Sequence, residues 1–92
     1  MKLGTRLKRV IKADPDTLRV TLEFTDGFRG TADLSTLFRS RRRRPLPLEI
    51  LRGHLFARAF VEAGALAWPN GYELCPDALR AWIVEQRRQR AA

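Results

Sequence analysis

Leu18-Arg19-Val20-Thr21-Leu22-Glu23-Phe24-Thr25-Asp26-Gly27-Phe28-Arg29-Gly30-Thr31-Ala32-Asp33 is the stretch on which the fold turns. Leu18, Val20, Leu22 and Phe24 alternate with Arg19, Thr21 and Glu23, the pattern of a strand with one buried and one wet face. Thr25-Asp26-Gly27 then closes a hairpin whose loop length follows from register. A two-residue Asp26-Gly27 loop sets Phe24 opposite Arg29 and Val20 opposite Asp33. A three-residue loop with Gly27 left-handed sets Phe24 opposite Phe28, Leu22 opposite Gly30 and Val20 opposite Ala32. A one-residue slip turns every side chain to the other face, so only the longer loop keeps the apolar residues together. The third strand is then Phe28–Asp33, in which Gly30 makes room for a bulky neighbour or a bend.

Upstream, residues 6–13 read as a first strand. Leu7, Ile11 and Ala13 share a parity, with Arg9 interrupting it and Val10 lying opposite. Asp14-Pro15-Asp16-Thr17 is the polar turn between this strand and the next. Downstream, Asp33 is expected to cap one helical turn that places Leu34, Leu37 and Phe38 on one side. Arg39-Ser40-Arg41-Arg42-Arg43-Arg44 repels itself and reads as a mobile loop, residues 39–45. Pro47 suits the start of a short helix, Leu48 to Arg52, stopped by Gly53. His54 to Ala57 reads as another turn. Phe60 to Glu62 and Ala65 to Trp68 read as a hairpin about Ala63-Gly64, with Val61 opposite Leu66 and Ala59 opposite Trp68.

Trp68-Pro69-Asn70-Gly71 is the other organising turn. Pro69 fixes its own φ and keeps Trp68 extended, so proline, asparagine and glycine take the second to fourth positions of a type I turn. Leu66 and Trp68 share a face before it, Tyr72 and Leu74 after it. The Trp68 indole is expected to be buried with its N–H near a polar group; an exposed indole at the centre of a binding surface is the alternative. Pro76 opens a last helix that runs to about Arg90, with Asp77 in its first turn and Leu79, Trp82 and Ile83 as the stripe that packs on the sheet.

Ninety-two residues with 45% apolar composition fit a single globular domain, 1–92, with a core of about 6–86 and a basic tail, 87–92. One cysteine excludes an internal disulfide and suits a reducing cytoplasm. No apolar run is long enough to span a bilayer, no signal peptide is expected, and no membrane contact is expected. The net charge of +8 is the anomaly. It favours polyanions or an acidic protein partner. Three groups carry most of it: Lys2, Arg6, Lys8, Arg9 and Lys12; Arg39 with Arg41, Arg42, Arg43 and Arg44; and Arg87, Arg88 and Arg90.

Catalytic chemistry is sparse. His54 is the single histidine and has no Cys, Asp or Glu at ligand spacing. Cys75 reads as a half-buried structural thiol, and a poorer helix cap than Ser or Asp. The phosphate-cradling, dinucleotide, nucleophile-elbow and zinc motifs are absent. No metal and no cofactor are expected. The arginine run is the best binding candidate, because each guanidinium can grip a phosphate in two-pronged fashion. Such contacts position a polyanion without reading its sequence.

Phe24-Thr25-Asp26-Gly27, Ala32-Asp33-Leu34-Ser35, Leu55-Phe56, Leu66 to Gly71 and Pro76-Asp77-Ala78-Leu79 together resemble a family of small bacterial proteins known only as a domain of unknown function. The resemblance covers about residues 7–84. It marks Asp26, Gly27, Asp33, Trp68, Pro69, Asn70 and Gly71 as the structural signature. It implies an α+β domain with a mainly antiparallel sheet. Some members carry an added helix-turn-helix DNA-binding domain, and some are encoded beside a second small protein in a toxin–antitoxin-like arrangement. Here the loop after Phe38 is unusually arginine-rich, Cys75 replaces an expected polar residue, and the chain is expected to lack the added DNA-binding domain.

The expected architecture is therefore α+β: a mainly antiparallel sheet of about five short strands, a C-terminal helix packed on it, and one or two short helical turns in the middle. The expected role is a non-enzymatic binding or regulatory module, antitoxin-like, with a protein partner. Its basic surface contacts nucleic acid through Arg39, Arg41, Arg42, Arg43 and Arg44 and through Lys8, Arg9 and Lys12. A protein-interaction module without nucleic-acid binding is the alternative, and a small enzyme seeded by Asp33, His54 and Cys75 ranks last.

Overall fold

A computed structural model of the chain describes residues 5–35, 37, 50 and 54–91. The expected arginine loop, and all but Ile50 of the expected Leu48–Arg52 helix, lie outside the described residues. Ile50 itself is helical and fully buried. Ser35 and Leu37 are helical too, with Leu34 buried beside them; Phe38 is outside the described residues.

The architecture is α+β, and the described residues form six strands rather than about five, divided between two antiparallel three-stranded sheets instead of one. The first contains β1 (Leu7–Asp14), β2 (Arg19–Phe24) and β3 (Arg29–Asp33). The second contains β4 (Phe60–Glu62), β5 (Ala65–Ala67) and β6 (Glu73–Leu74). A 3₁₀ turn, Phe56–Arg58, precedes β4; it begins two residues later than the His54–Ala57 reading and ends one residue later. The helix α1 spans Pro76–Ala91.

The β2–β3 register is the one that apolar matching selects: Leu22 faces Gly30 and Val20 faces Ala32. Phe24 N–H donates to Phe28 O at 2.8 Å, and Gly27 sits at φ 93°. The Trp68 turn has the same construction. Trp68 N–H donates to Tyr72 O at 3.0 Å, Gly71 N–H donates to Trp68 O at 3.0 Å, and Gly71 also has φ 93°. In both loops the middle side chain accepts from the backbone two residues on: Asp26 Oδ1 from Phe28 N–H and Asn70 Oδ1 from Tyr72 N–H, each at 3.1 Å. Aromatic-x-Asp/Asn-Gly-aromatic is thus used twice to make a type I turn ending in a left-handed glycine. At the third turn Ala63 and Gly64 are both left-handed, at φ 51° and 84°, and Val61 faces Leu66 as expected. That ladder stops at Phe60–Ala67, so Ala59 and Trp68 do not pair.

Strand β1 departs from its expected parity. Leu7 faces Phe24, Val10 faces Leu22 and Ala13 faces Val20, with register shifts on either side of Lys8 and Ile11. Two bulges thus convert an alternating strand into one whose inward residues recur every third position. Ile11, expected inside, is 42% exposed. Leu18, expected to open β2, instead ends the preceding turn at φ 59° with its side chain buried. Its backbone joins both neighbours: Leu18 N–H donates to Asp14 O, and Leu34 N–H donates to Leu18 O.

The core gathers Leu7, Leu18, Val20, Leu22, Phe24, Leu34, Ile50, Phe56, Leu66, Trp68, Leu79 and Ile83. Trp68 is 1% exposed and its Nε1–H donates to Phe56 O at 3.1 Å, which settles the indole as a core residue with a satisfied donor. Helix α1 lies against β3. A Cβ at Gly30 would overlap the Ile83 side chain, which is the bulky neighbour that glycine admits. Gln86 then works like one rung of a neighbouring strand. Its Oε1 accepts from Asp33 N–H at 2.9 Å while its Nε2 donates to Asp33 O at 3.0 Å. Arg87 Nη2 donates to Arg29 O at 2.6 Å. These contacts cover backbone groups that an edge strand would otherwise present for pairing.

Candidate nucleic-acid interface

Because β2 alternates, its outward residues form three rows across the first sheet: Arg9–Glu23–Arg29, Lys12–Thr21–Thr31 and Asp14–Arg19–Asp33. Of the expected binding residues, Arg9 and Lys12 share this face, and Lys8 sits at the first bulge, exposed. Arg39 and Arg41 to Arg44 lie outside the described residues.

The rows differ in how their charge is used. Glu23, expected on the wet face, is only 7% exposed because two guanidinium groups cover it. Arg9 Nε donates to Glu23 Oε1 at 2.6 Å, and Arg29 Nη2 lies 3.5 Å from Oε2. The Arg9 hydrogen bond holds the Glu23 carboxyl below its ordinary range against the opposing effect of burial; the charges of Arg29, Arg9 and Lys8 act in the same direction. In the middle row the Thr21 and Thr31 hydroxyls bond each other at 3.0 Å, leaving Lys12 as its only charge. In the third row Arg19 Nε is 3.6 Å from Asp33 Oδ2. Burial raises the Asp33 carboxyl, but the Ser35 hydroxyl, the Ser35 N–H and Arg19 bring it below its usual value. Asp33 Oδ1 accepts from Ser35 N–H at 2.9 Å, the expected capping role.

Two arginines outside the expected binding set, Arg80 and Arg87, are committed to the fold. Arg80 places its guanidinium 4.2 Å from the Phe28 ring centre and 5.4 Å from that of Phe24. The same group donates to Asp26 Oδ1 at 3.0 Å, and this bond is the main cause of Asp26's lowered pKa. Arg87 covers Phe28 from 5.0 Å. Cation–π contacts of this kind bind a strand to a helix through side chains that sequence alone reads as solvated charge. Helical spacing hints at it, since Arg80 and Arg87 are seven residues apart and flank Ile83. What they cover is set by the remote Phe28.

Asp33 and Cys75 do not draw together. Asp33 is held at Gln86, while Cys75 precedes the first residue of α1, so the two stand roughly 16 Å apart along the helix axis. Cys75 is exposed rather than half-buried, and His54 is exposed. Among the described residues no three His, Cys, Asp or Glu side chains gather as a metal site, and no helix is long and apolar enough to cross a membrane.

Neither the curated proteins nor the solved structures hold a significant match to the chain. Residues 9–85 match the family described as "Protein of unknown function (DUF2442)". That span takes in both sheets except the first two residues of β1, and the first ten residues of α1, so the chain belongs to the DUF2442 family.

Proposed function

We propose that the chain is a non-enzymatic regulatory module, antitoxin-like, whose basic surface contacts nucleic acid through Arg39 and Arg41 to Arg44 and through Lys8, Arg9 and Lys12. The observation that carries this reading is how the charge divides. Arg9, Arg19, Arg29, Arg80 and Arg88 are ion-paired, whereas Lys8 and Lys12 stand exposed on β1 with no ion pair among the described residues. Ion pairs within the fold leave the net charge of +8 unchanged, and that excess makes a field suited to a polyanion. Lysine and arginine contacts to phosphate are independent of sequence, so binding is weak, salt-sensitive and indifferent to base order.

Fluorescence anisotropy on duplex DNA over a salt series tests this. Each phosphate contact contributes about −0.9 to the slope of log affinity against log salt. Replacing Arg41 to Arg44 by Ala is expected to shrink the slope by roughly 3 to 4 units, and Lys8→Gln with Lys12→Gln by about 2. Unchanged slopes in both variants would move the contact surface elsewhere. No binding by the wild type at low salt would favour the second reading, a protein-interaction module. The structural use of Arg80 and Arg87 speaks for that reading, since it accounts for part of the basic excess without a ligand.

A further inference from the structure

Two clefts lie side by side on the outward face of the first sheet and share one residue. The first, about 210 Å³, is lined by Lys12, Asp14, Thr17, Arg19, Thr21 and Thr31. The second, about 350 Å³, is lined by Arg19, Asp33, Gln86, Gln89 and Arg90. Arg19 is the wall between them. Together they make a polar track from β1 across the sheet to the last turn of α1.

The lining chemistry suits a phosphodiester backbone. Three cations, Lys12, Arg19 and Arg90, are spaced along the track. Arg19 directs Nε to Asp33 at 3.6 Å, beyond hydrogen-bond length, and its side chain is 51% exposed. With Nε turned to Asp33, the exposed guanidinium still has its two terminal nitrogens for a two-pronged grip on phosphate oxygens. The Thr21–Thr31 pair uses one hydroxyl proton internally and leaves the other to donate outward. Gln89 adds an amide; the Gln86 amide is already occupied by Asp33. Of the two carboxylates on the track, Asp14 Oδ1 accepts from Asp16 N–H and Asp33 Oδ1 from Ser35 N–H, each at 2.9 Å, while Asp33 Oδ2 faces Arg19. Among the described residues no aromatic ring lines either cleft, so the contact they offer is to phosphates rather than to stacked bases.

We infer that this track, with Arg19 at its centre and Lys12 and Arg90 at its ends, is the seat of a single nucleic-acid strand held by its phosphates. The inference rests on the proposed function and deepens it. It adds Arg19 and Arg90 to the contact set and places the strand across the sheet face, from Lys12 to the end of α1. The bases face solvent, so the strand is bound without regard to sequence.

The test is anisotropy on a fluorescent oligo-dT strand over a salt series, with four proteins: wild type, Arg19→Gln with Arg90→Gln, Arg41 to Arg44→Ala, and a charge-matched control, Arg58→Gln with Arg88→Gln. Each lost contact to a single strand removes about 0.7 from the slope, so the groove variant is expected to lose roughly 1.4 while the control keeps the wild-type slope. Thermal melts confirm that each variant is folded. If the loop variant loses slope and the groove variant does not, the track is wrong and the nucleic-acid reading survives. If control and groove variants lose slope equally, only net charge matters and the track is again wrong. If wild type fails to bind both oligo-dT and duplex at low salt, the function itself is overturned and the track falls with it.

Discussion

Gly27 and Gly30 are three residues apart and are glycine for opposite reasons. At Gly27 φ is 93° and a Cβ would meet nothing within 4 Å, so the requirement is purely conformational. At Gly30 the backbone is ordinary strand and the obstacle is Ile83. Different substitutions therefore expose each cause. Gly27→Asn is expected to cost a few tenths of a kcal/mol to about 1, and Gly27→Val clearly more, because asparagine tolerates the left-handed region and a β-branched residue does not. Gly30→Ala is expected to cost about 1–3 kcal/mol by overpacking. That loss should shrink in an Ile83→Ala background, where the side-chain atoms in the way are gone. Urea melts of the single and double variants measure both. Equal losses at Gly27 for Asn and Val, or strictly additive losses at Gly30 and Ile83, would refute the respective assignments. The Gly27 requirement was legible in sequence, since a three-residue hairpin loop implies its conformation, and at Gly30 the need for room beside a bulky neighbour or a bend was legible too. The identity of the residue that excludes a side chain at Gly30 comes from a helix more than fifty positions away.

At the scale of elements, the first sheet is tied across its outward face by Glu23 between Arg9 on β1 and Arg29 on β3. The carboxyl's pKa is depressed in the fold from an ordinary value of 4.5, chiefly by the Arg9 hydrogen bond. A depressed carboxyl stabilises the fold fully above its unfolded pKa, and that contribution is lost as pH falls through the folded value. The melting temperature of the wild type is therefore expected to fall more steeply below about pH 4.5 than that of Glu23→Gln, so the gap between them narrows in acid. Asp14, Asp26 and Asp33 also have lowered values, but they titrate in both proteins and drop out of the difference. Parallel curves from pH 7 to 3 would show that Glu23 contributes nothing through its charge. The wet face of β2 was visible in the alternation; its conversion into a shielded ion triad was not. It depends on which residues of β1 and β3 the register brings beside Glu23.

For the whole molecule, the joint between the sheets matters most. Leu7 N–H donates to Gly64 O at 2.8 Å, and Thr25 N–H donates to Arg6 O at 3.0 Å, so the start of β1 is bonded to both hairpins. One apolar cluster contains Leu22 and Phe24 from the first sheet, Leu66 and Trp68 from the second hairpin region, and Leu79 and Ile83 from α1. A shared core of this kind predicts a single cooperative unfolding transition. Tryptophan fluorescence, which reports Trp68 and Trp82, and far-ultraviolet circular dichroism are expected to give one midpoint. Separate midpoints would mean that the sheets unfold independently. Trp68→Ala is expected to lower that common midpoint by roughly 3–5 kcal/mol of stability, since the indole is buried and its donor is used. A wild-type midpoint and slope would contradict its core role.

What the sequence by itself determined are the local features: the β2 alternation, the glycine-ended loops, the β2–β3 register, the Pro76 start of α1 and its Leu79–Ile83 stripe. Each depends on residues within a few positions of one another, where backbone sterics and hairpin geometry leave few choices. Tertiary structure alone decided the division into two sheets, the inward spacing of Leu7, Val10 and Ala13, and the employment of Arg80 and Arg87 on Phe28. A bulge is an extra residue relative to a partner strand, so β1 read alone cannot show where it bulges. An arginine's role is set by the ring or carboxylate that folding brings beneath it, and that neighbour lies far away in sequence. The same holds for the track at Arg19. Three segments supply its cations, and only the β1–β2 register and the packing of α1 on β3 bring them to two clefts that share Arg19.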